Sequence, residues 1–448
     1  MRKIVLFLLM FIFGFLPANA NPISKYLNSV RINNSAVSVS VKDVSTGRTV
    51  FSLNDKTPRN PASTLKILTA LASYYTLGAD YKFSTKLYKT VNNELYIKLG
   101  ADPYLSSSDL VTLMGIAQSK KILEPKKIYI DNTIFDNVEW GEGWQWDDDL
   151  NPSMPKFSAF NIDNNLINIE ISPTSNKRPP LIVTKPYYPV TFMNMVLTDS
   201  KAQNNLTLER NNSIAPNIIN VSGTISQKIT KQIPVNNPQR YFNLRLDEAV
   251  KAAKIEYFGS YLVNKLPDKS YFAGEVTHEL SLAMNEILKY SDNLKAETVF
   301  KLAGGKYANN TANTTNSLAM LDDYFKNLDI NAADIKIVDG SGVSKNNIVT
   351  ADFMTNYLLK IAQKDDFDTV KLFFASPGEG TLKNRMLYFK NNLIAKTGTL
   401  SDVSAISGFL TTRSGKVYAF DIMIQDAKTT NSDKKNIEEQ ILRILFTN

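Results

Sequence analysis

The sequence predicts an α+β protein in which both chain ends build one antiparallel sheet with helices on its faces, and smaller strand-rich domains are inserted between them. Three observations carry this. Residues Ala36-Val37-Ser38-Val39-Ser40-Val41 alternate, turn at Ser45-Thr46-Gly47 and resume through Thr49, Val50, Phe51 and Leu53, a hairpin pattern. At the other end, 393–395, 405–410 and 417–424 read as strands, and 434–445 as a closing helix. In between, from about 81 to 271, the pattern changes to short strands at 95–99, 127–130 and 166–171 with few long helices.

Each remaining element follows from its local pattern. Asn60 can cap a helix, Pro61 suits its first position, and Ile67, Leu68, Ala70, Leu71, Ala72, Tyr74 and Leu77 are apolar nearly all round until Gly78 ends it. This predicts a central buried helix. Residues 172–240, rich in Asn, Pro and Thr with alternating runs at 206–209 and 218–221, predict a β domain nested in a mixed one. After 275 the helical period returns: Leu280, Ala283, Met284, Ile287 and Leu288 share a face, and a second helix is expected to end at Gly304-Gly305. The Asn/Thr-rich stretch 308–316 reads as a loop before a helix from Ser317. The expected division is 21–85 with 273–448, 86–171 with 241–272, and 172–240.

Composition narrows the chemistry. The first 20 residues, with Arg2 and Lys3, an apolar run from Ile4 to Leu16 and Ala18-Asn19-Ala20, read as a secretory leader, so the mature chain is expected to begin at Asn21 and to be periplasmic. The run is shorter than the roughly 20 residues that span a bilayer. Net charge is +8, or +6 without Arg2 and Lys3, which is modest for 448 residues and gives no nucleic-acid footprint. With no cysteine there is no thiol nucleophile and no cysteine metal site. The single histidine, His278, cannot build a histidine-rich zinc site, and its place at the start of the helical run 279–289 predicts a structural role.

Three short words then stand out: Ser63-Thr64-Leu65-Lys66, Ser291-Asp292-Asn293 and Lys396-Thr397-Gly398. Ser-x-x-Lys occurs three times (Ser63, Ser153, Ser432), Ser-x-Asn three times (Ser52, Ser291, Ser344) and Lys-Thr-Gly once, so context must choose. Pro155 keeps Ser153 and Lys156 off a shared helix face, and Ser432 fits a solvated helix start. Ser63 and Lys66 share one face of a buried helix near its N-terminus, where backbone N–H groups favour developing negative charge. Together the words provide a nucleophile, a base, a proton shuttle and a cationic anchor, the parts of a serine acyl-transfer site without histidine. Read separately, each has a bland alternative: a snorkelling lysine beside a capping serine, or a surface lysine entering a strand.

The ordered triplet, with 224 residues between Lys66 and Ser291, resembles the class C penicillin-binding proteins, the D-alanyl-D-alanine carboxypeptidase/endopeptidases of the penicillin-binding protein 4 family. The likeness extends to Gly100-Ala101-Asp102-Pro103-Tyr104-Leu105, Trp144-Gln145-Trp146-Asp147-Asp148, Asn237-Pro238-Gln239-Arg240-Tyr241, Asp339-Gly340-Ser341-Gly342-Val343-Ser344 and Gly380-Thr381-Leu382-Lys383-Asn384-Arg385. It implies a serine transpeptidase/β-lactamase-like domain I, a domain II inserted after the Ser63 helix, and a β-rich domain III within domain II. It also implies an oxyanion hole from the backbone N–H groups of Ser63 and Thr399, and recognition by Asp148 of the free amino end of the cross-linking residue. Trp140, Trp144 and Trp146 read equally as packing or as substrate walls.

On this reading Ser63 is the nucleophile and Lys66 the general base, with its pKa lowered by burial and by the charge of Lys396. Ser291 passes the proton to the leaving amine, and Asn293 orients Lys66 and the substrate amide. Lys396 and Thr397 hold a terminal D-alanine carboxylate, and Gly398 allows close backbone approach. Asp292 is expected to be structural. No cofactor or metal is required. The partners implied are peptidoglycan stem peptides and, as covalent inhibitors, β-lactam antibiotics; a peripheral membrane contact and a homodimer stay open, and nucleic acid is excluded. Two other readings compete, a β-lactam hydrolase and a non-catalytic wall-binding module. The first lacks a Glu-x-x-Leu-Asn word and the second would not keep every catalytic side chain.

Overall fold

The structure, a computed structural model, describes residues 21–30, 32–210 and 215–447; the expected leader lies outside the described residues. Both chain ends meet in one five-stranded antiparallel sheet, in the order Leu393–Thr399, Val403–Thr411, Val417–Gln425, Val37–Asp43, Thr49–Leu53. Apolar residues alternating along Val37–Asp43 pack Val37, Val39 and Val41 against Ile437, Ile441 and Leu442 of the C-terminal helix Asn431–Thr447. The opposite face is covered too, by the helix Ala351–Ala362 and by the turn Ala62–Leu65 that leads into the helix Lys66–Leu77. Ser38 and Ser40 are therefore buried and must find partners: Ser38 donates to Asn54 O at 2.8 Å, and Ser40 bonds Thr355 Oγ1 at 2.7 Å.

Lys396, Ser407, Asp421 and Ser40 form one cross-strand row in this sheet. Both carboxylate oxygens of Asp421 are buried without a hydrogen-bond partner among the described residues, since Ser407 donates to Phe420 O at 3.2 Å. Burial, aided by Glu438, holds this acid well above the usual carboxylate range. Because the folded state raises its pKa, its contribution is whole in acid and is lost as pH climbs past the unfolded value. Asp421→Asn is thus expected to stabilise the protein at neutral pH by about 1–3 kcal/mol. Urea melts at pH 5 and pH 8 check this, with the gain over wild type larger at pH 8.

The inserted region opens on a second five-stranded sheet, ordered Leu262–Val263, Ile128–Asp131, Leu95–Lys98, Lys82–Thr90, Ser270–Glu279. The limits expected at 85/86 and 272/273 fall inside its strand pair Lys82–Thr90 and Ser270–Glu279. Two three-stranded sheets follow, one of Ile229–Pro234, Leu166–Ser172 and Leu181–Lys185, the other of Thr191–Thr198, Ile218–Ile225 and Asn205–Arg210. Two helices here have positions the sequence reading did not give. Ser107–Ser119 starts on a capping box of Ser106 and Asp109, and Pro238–Ala252 on Asn237 with proline in the first turn.

Three local expectations change. The second helix runs Asn293–Ala308, through Gly304 and Gly305. A Cβ on Gly304 would stand 2.4 Å from Ser317 N, so these glycines let the helix Thr314–Asn327 approach rather than end their own. That next helix begins three residues before Ser317 because Asn313 caps it through Asn316 N. His278 ends a strand rather than starting a helix, and its Nδ1 lies 2.7 Å from Asp102 Oδ2.

Candidate active site

The turn that carries Ser63 is set by its own backbone. Asn60 Oδ1 accepts from Ala62 N at 2.8 Å, and residues Ala62–Leu65 form a tight 3₁₀ turn before the helix Lys66–Leu77. Ala62 sits at φ 47°, a left-handed conformation that costs a non-glycine residue roughly 1–2 kcal/mol. Packing closes around it. A Cβ on Gly342 would meet Ala62 O at 2.1 Å, and one on Gly398 would meet Pro61 O at 2.7 Å and Ser63 N at 2.9 Å. The close approach that Gly398 permits is thus between the strand Leu393–Thr399 and the Ser63 turn, where the sequence suggested substrate.

Lys66 is fully buried at the base of this turn. Its Nζ lies 3.0 Å from Ser63 Oγ and donates to Asn293 Oδ1 and Ser341 O, both at 2.6 Å. Two fixed acceptors occupy two directions around the nitrogen and Ser63 the third, so a neutral amine keeping the first two bonds turns its lone pair toward the hydroxyl. Burial lowers the pKa of Lys66 to about 8, against the pull of Asp339, Glu297 and Asp292, which raise it. The assignment of this effect to Lys396 is corrected. Lys396 is itself buried, donating to Thr397 O at 2.7 Å, and burial together with the charge of Lys66 pushes it well below the normal lysine range.

Asn293 opens its helix, with Asp292 as the cap: Asp292 accepts from Lys295 N at 2.8 Å and pairs with Lys295 Nζ at 2.9 Å. Asn293 Nδ2 donates to Ser153 O at 2.8 Å, so the loop bearing the discarded Ser153 word reaches the site through its backbone. Ser291 lies at φ 67° just before, half-buried, and its hydroxyl makes no hydrogen bond among the described residues.

Sequence reasoning missed Glu297, one helical turn after Asn293. Its carboxylate accepts from Gly340 N at 3.0 Å and Ser341 N at 2.8 Å, which fixes the carbonyl that Lys66 holds. Asp339 binds the same loop, accepting from Gly342 N, Ser344 N and Asn347 Nδ2 at 2.8 Å and Trp144 Nε1 at 2.9 Å. Burial and the mutual repulsion with Asp339 raise the pKa of Glu297. The only signal in the sequence was an acid one turn after Asn293.

A cavity of about 320 Å³ opens over this arrangement, and Ser63, Asn293, Thr399 and Asp148 all line it. Burial and the neighbouring charge of Asp147 raise the pKa of Asp148, against Lys345, which the sequence reading also missed and which lines the same cavity. Ser291, Lys396, Thr397 and Gly398 do not line the cavity; the last three sit in the edge strand behind it. Trp144 is buried in packing, edge-on to Trp140 at 5.1 Å. Among the described residues no cluster of His, Cys, Asp or Glu could hold a metal ion, and no helix is long and apolar enough to cross a membrane.

Residues 19–447 match the model of the D-Ala-D-Ala carboxypeptidase 3 (S13) family. The chain is 27% identical over 418 residues to a D-alanyl-D-alanine carboxypeptidase of Actinomadura sp. (strain R39), covering 86% of this chain and 77% of the relative. It is 25% identical over 448 residues to D-alanyl-D-alanine carboxypeptidase DacB of Haemophilus influenzae, covering 94% and 91%. Penicillin binding protein 4 (dacB) from Haemophilus influenzae superposes with a TM-score of 0.84 at 23% identity, over 93% of this chain and all of that one. Its complex with a novel β-lactam gives 0.79 at 22%, over 95% and 100%. The chain therefore belongs to the D-Ala-D-Ala carboxypeptidase 3 (S13) family, a serine-type carboxypeptidase on the penicillin-binding protein 4 fold.

Proposed function

We propose that Ser63 is acylated by the D-Ala-D-Ala end of a peptidoglycan stem peptide with Lys66 as general base, and that the acyl-enzyme is then hydrolysed. Ser63 Oγ attacks the carbonyl of the penultimate D-alanine while its proton passes to Lys66 Nζ. The oxyanion faces the N–H groups of Ser63 and Thr399, donors worth roughly 3–4 kcal/mol each in such sites. The C–N bond breaks as a proton reaches the leaving amine through Ser291, and water attacks the ester by the reverse proton route. The observation that carries this is the cradle of Lys66, held by Asn293 and Ser341 O with Ser63 Oγ at 3.0 Å.

Lys396 and Thr397 suit the terminal carboxylate: a buried lysine pushed toward its neutral form regains its charge when an anion arrives. Beyond Ala395, whose N–H donates to Ala375 O, the strand Leu393–Thr399 is a sheet edge to which an extended peptide can add. D-Ala cross-links fit the same chemistry as an endopeptidase substrate, β-lactams fit as acylating inhibitors, and the leader places the enzyme in the periplasm. We assign domain I to the terminal sheet and its helices, and domains II and III to the inserted sheets.

Purified mature protein incubated with muropeptides should release D-alanine, and Ser63→Ala should release none. Rapid turnover of penicillin in place of a stable adduct would instead make the protein a β-lactam hydrolase. Asp148 and Lys345 both line the active-site cavity, opposite charges suited to an amino group and a carboxylate on the cross-linking residue. Asp148→Ala is expected to reduce, about 3- to 10-fold, the preference for substrates with a free side-chain amine. Competition between acetylated and free-amine peptides measures it, and an unchanged ratio removes the role.

A further inference from the structure

A second cavity, of about 500 Å³, lies behind the active-site loop. Asp148 and Ser153 line the active-site cavity while Asp149 and Lys156 line this one, so the segment 148–156 is a wall between the two. Three cations and one carboxylate face it: Lys156, Arg210, Arg240 and Asp149.

Arg210 is the most buried of these cations. Its side chain is 2% exposed; Nη1 donates to Asp149 Oδ2 at 3.3 Å and Nη2 to Pro234 O at 3.2 Å. Its Nε is buried with no partner among the described residues. That Nε is closed off from the cavity and both Nη atoms are engaged, so Arg210 contributes a fixed positive charge to the wall rather than a free donor. Around it, Lys156 donates to Asn236 O at 2.9 Å and has Glu139 at 3.5 Å, while Arg240 is exposed on the first turn of the helix Pro238–Ala252. Trp140 supplies an apolar wall.

We propose that this cavity binds a carboxylate of the peptidoglycan substrate remote from the D-alanine end, an inference that rests on the peptidase reading above. The exposed guanidinium fork of Arg240 matches a carboxylate, Arg210 and Lys156 add positive charge to the wall, and the indole suits the sugar or peptide that carries it. The scissile end then enters the first cavity while the polymer is held on the far side of the 148–156 wall.

The test is calorimetric titration of the mature protein with a disaccharide tripeptide that lacks both D-alanines and so is no substrate. Binding is expected for wild type and Ser63→Ala alike, weakened at least tenfold by Arg240→Gln and equally by amidating the ligand's carboxylates. Peptide-free muramic disaccharide and free tripeptide, titrated separately, identify which carries the recognised carboxylate. Absence of binding to all three, or affinity indifferent to both Arg240→Gln and amidation, overturns the proposal. D-alanine release is assayed in parallel. Release without tripeptide binding sinks this site alone, and carboxylate-dependent binding without release sinks the peptidase reading alone.

Discussion

Lys66→Met is expected to slow acylation of Ser63 by about 10²- to 10⁴-fold, the span of a lost general base, with little loss of fold. The methionine fills the buried channel, but the proton of Ser63 then has no acceptor at 3.0 Å. Lys66→Arg should not rescue the rate, because a guanidinium does not deprotonate in this range. In wild type the base must be neutral, so the acylation rate should rise with pH to a plateau whose midpoint follows the lysine, near about 8. Glu297 and Asp339 raise that pKa. Glu297→Gln removes one negative charge and should move the midpoint to lower pH. Stopped-flow acylation across pH 5–10 checks all three statements.

Asp339→Ala should be the most destabilising single change near the site, at about 3–5 kcal/mol, because it strips a buried acceptor from five donors, the longest of them Ser341 Oγ at 3.5 Å. Gly342 N, Ser344 N, Asn347 Nδ2 and Trp144 Nε1 all depend on this carboxylate. The loop 340–344 also carries the carbonyl that orients Lys66, so acylation should slow in step with the loss of stability. Asp339→Asn retains one acceptor oxygen and should fall between. Urea denaturation with an acylation assay on each variant measures both effects. A native-like midpoint for Asp339→Ala would show that the loop is held by other means.

The three words stood out in the sequence because a buried helix can hold a serine and a lysine one turn apart only at a cost, and Lys-Thr-Gly at a strand edge is unusual. The terminal sheet was legible because alternation in Val37–Asp43 and the strands after 393 point to one core. What stayed hidden depends on contacts distant in sequence. Nothing near Glu297 announces that it holds the backbone of residues 340–341, and nothing near Arg210 announces Asp149. Gly304 and Gly305 look like a helix end until the second helix is seen to need their missing side chains. That the charge of Lys66 lowers Lys396, and that burial rather than Lys396 lowers Lys66, needed the packing around both to be seen.

Incubating the mature protein with penicillin, then measuring its intact mass and mapping its peptides, tests the central claim most directly. A single adduct on the peptide containing Ser63, absent in Ser63→Ala and slow to form in Lys66→Met, is the expected result. An adduct on any other residue, or none on a folded wild-type protein, would contradict it.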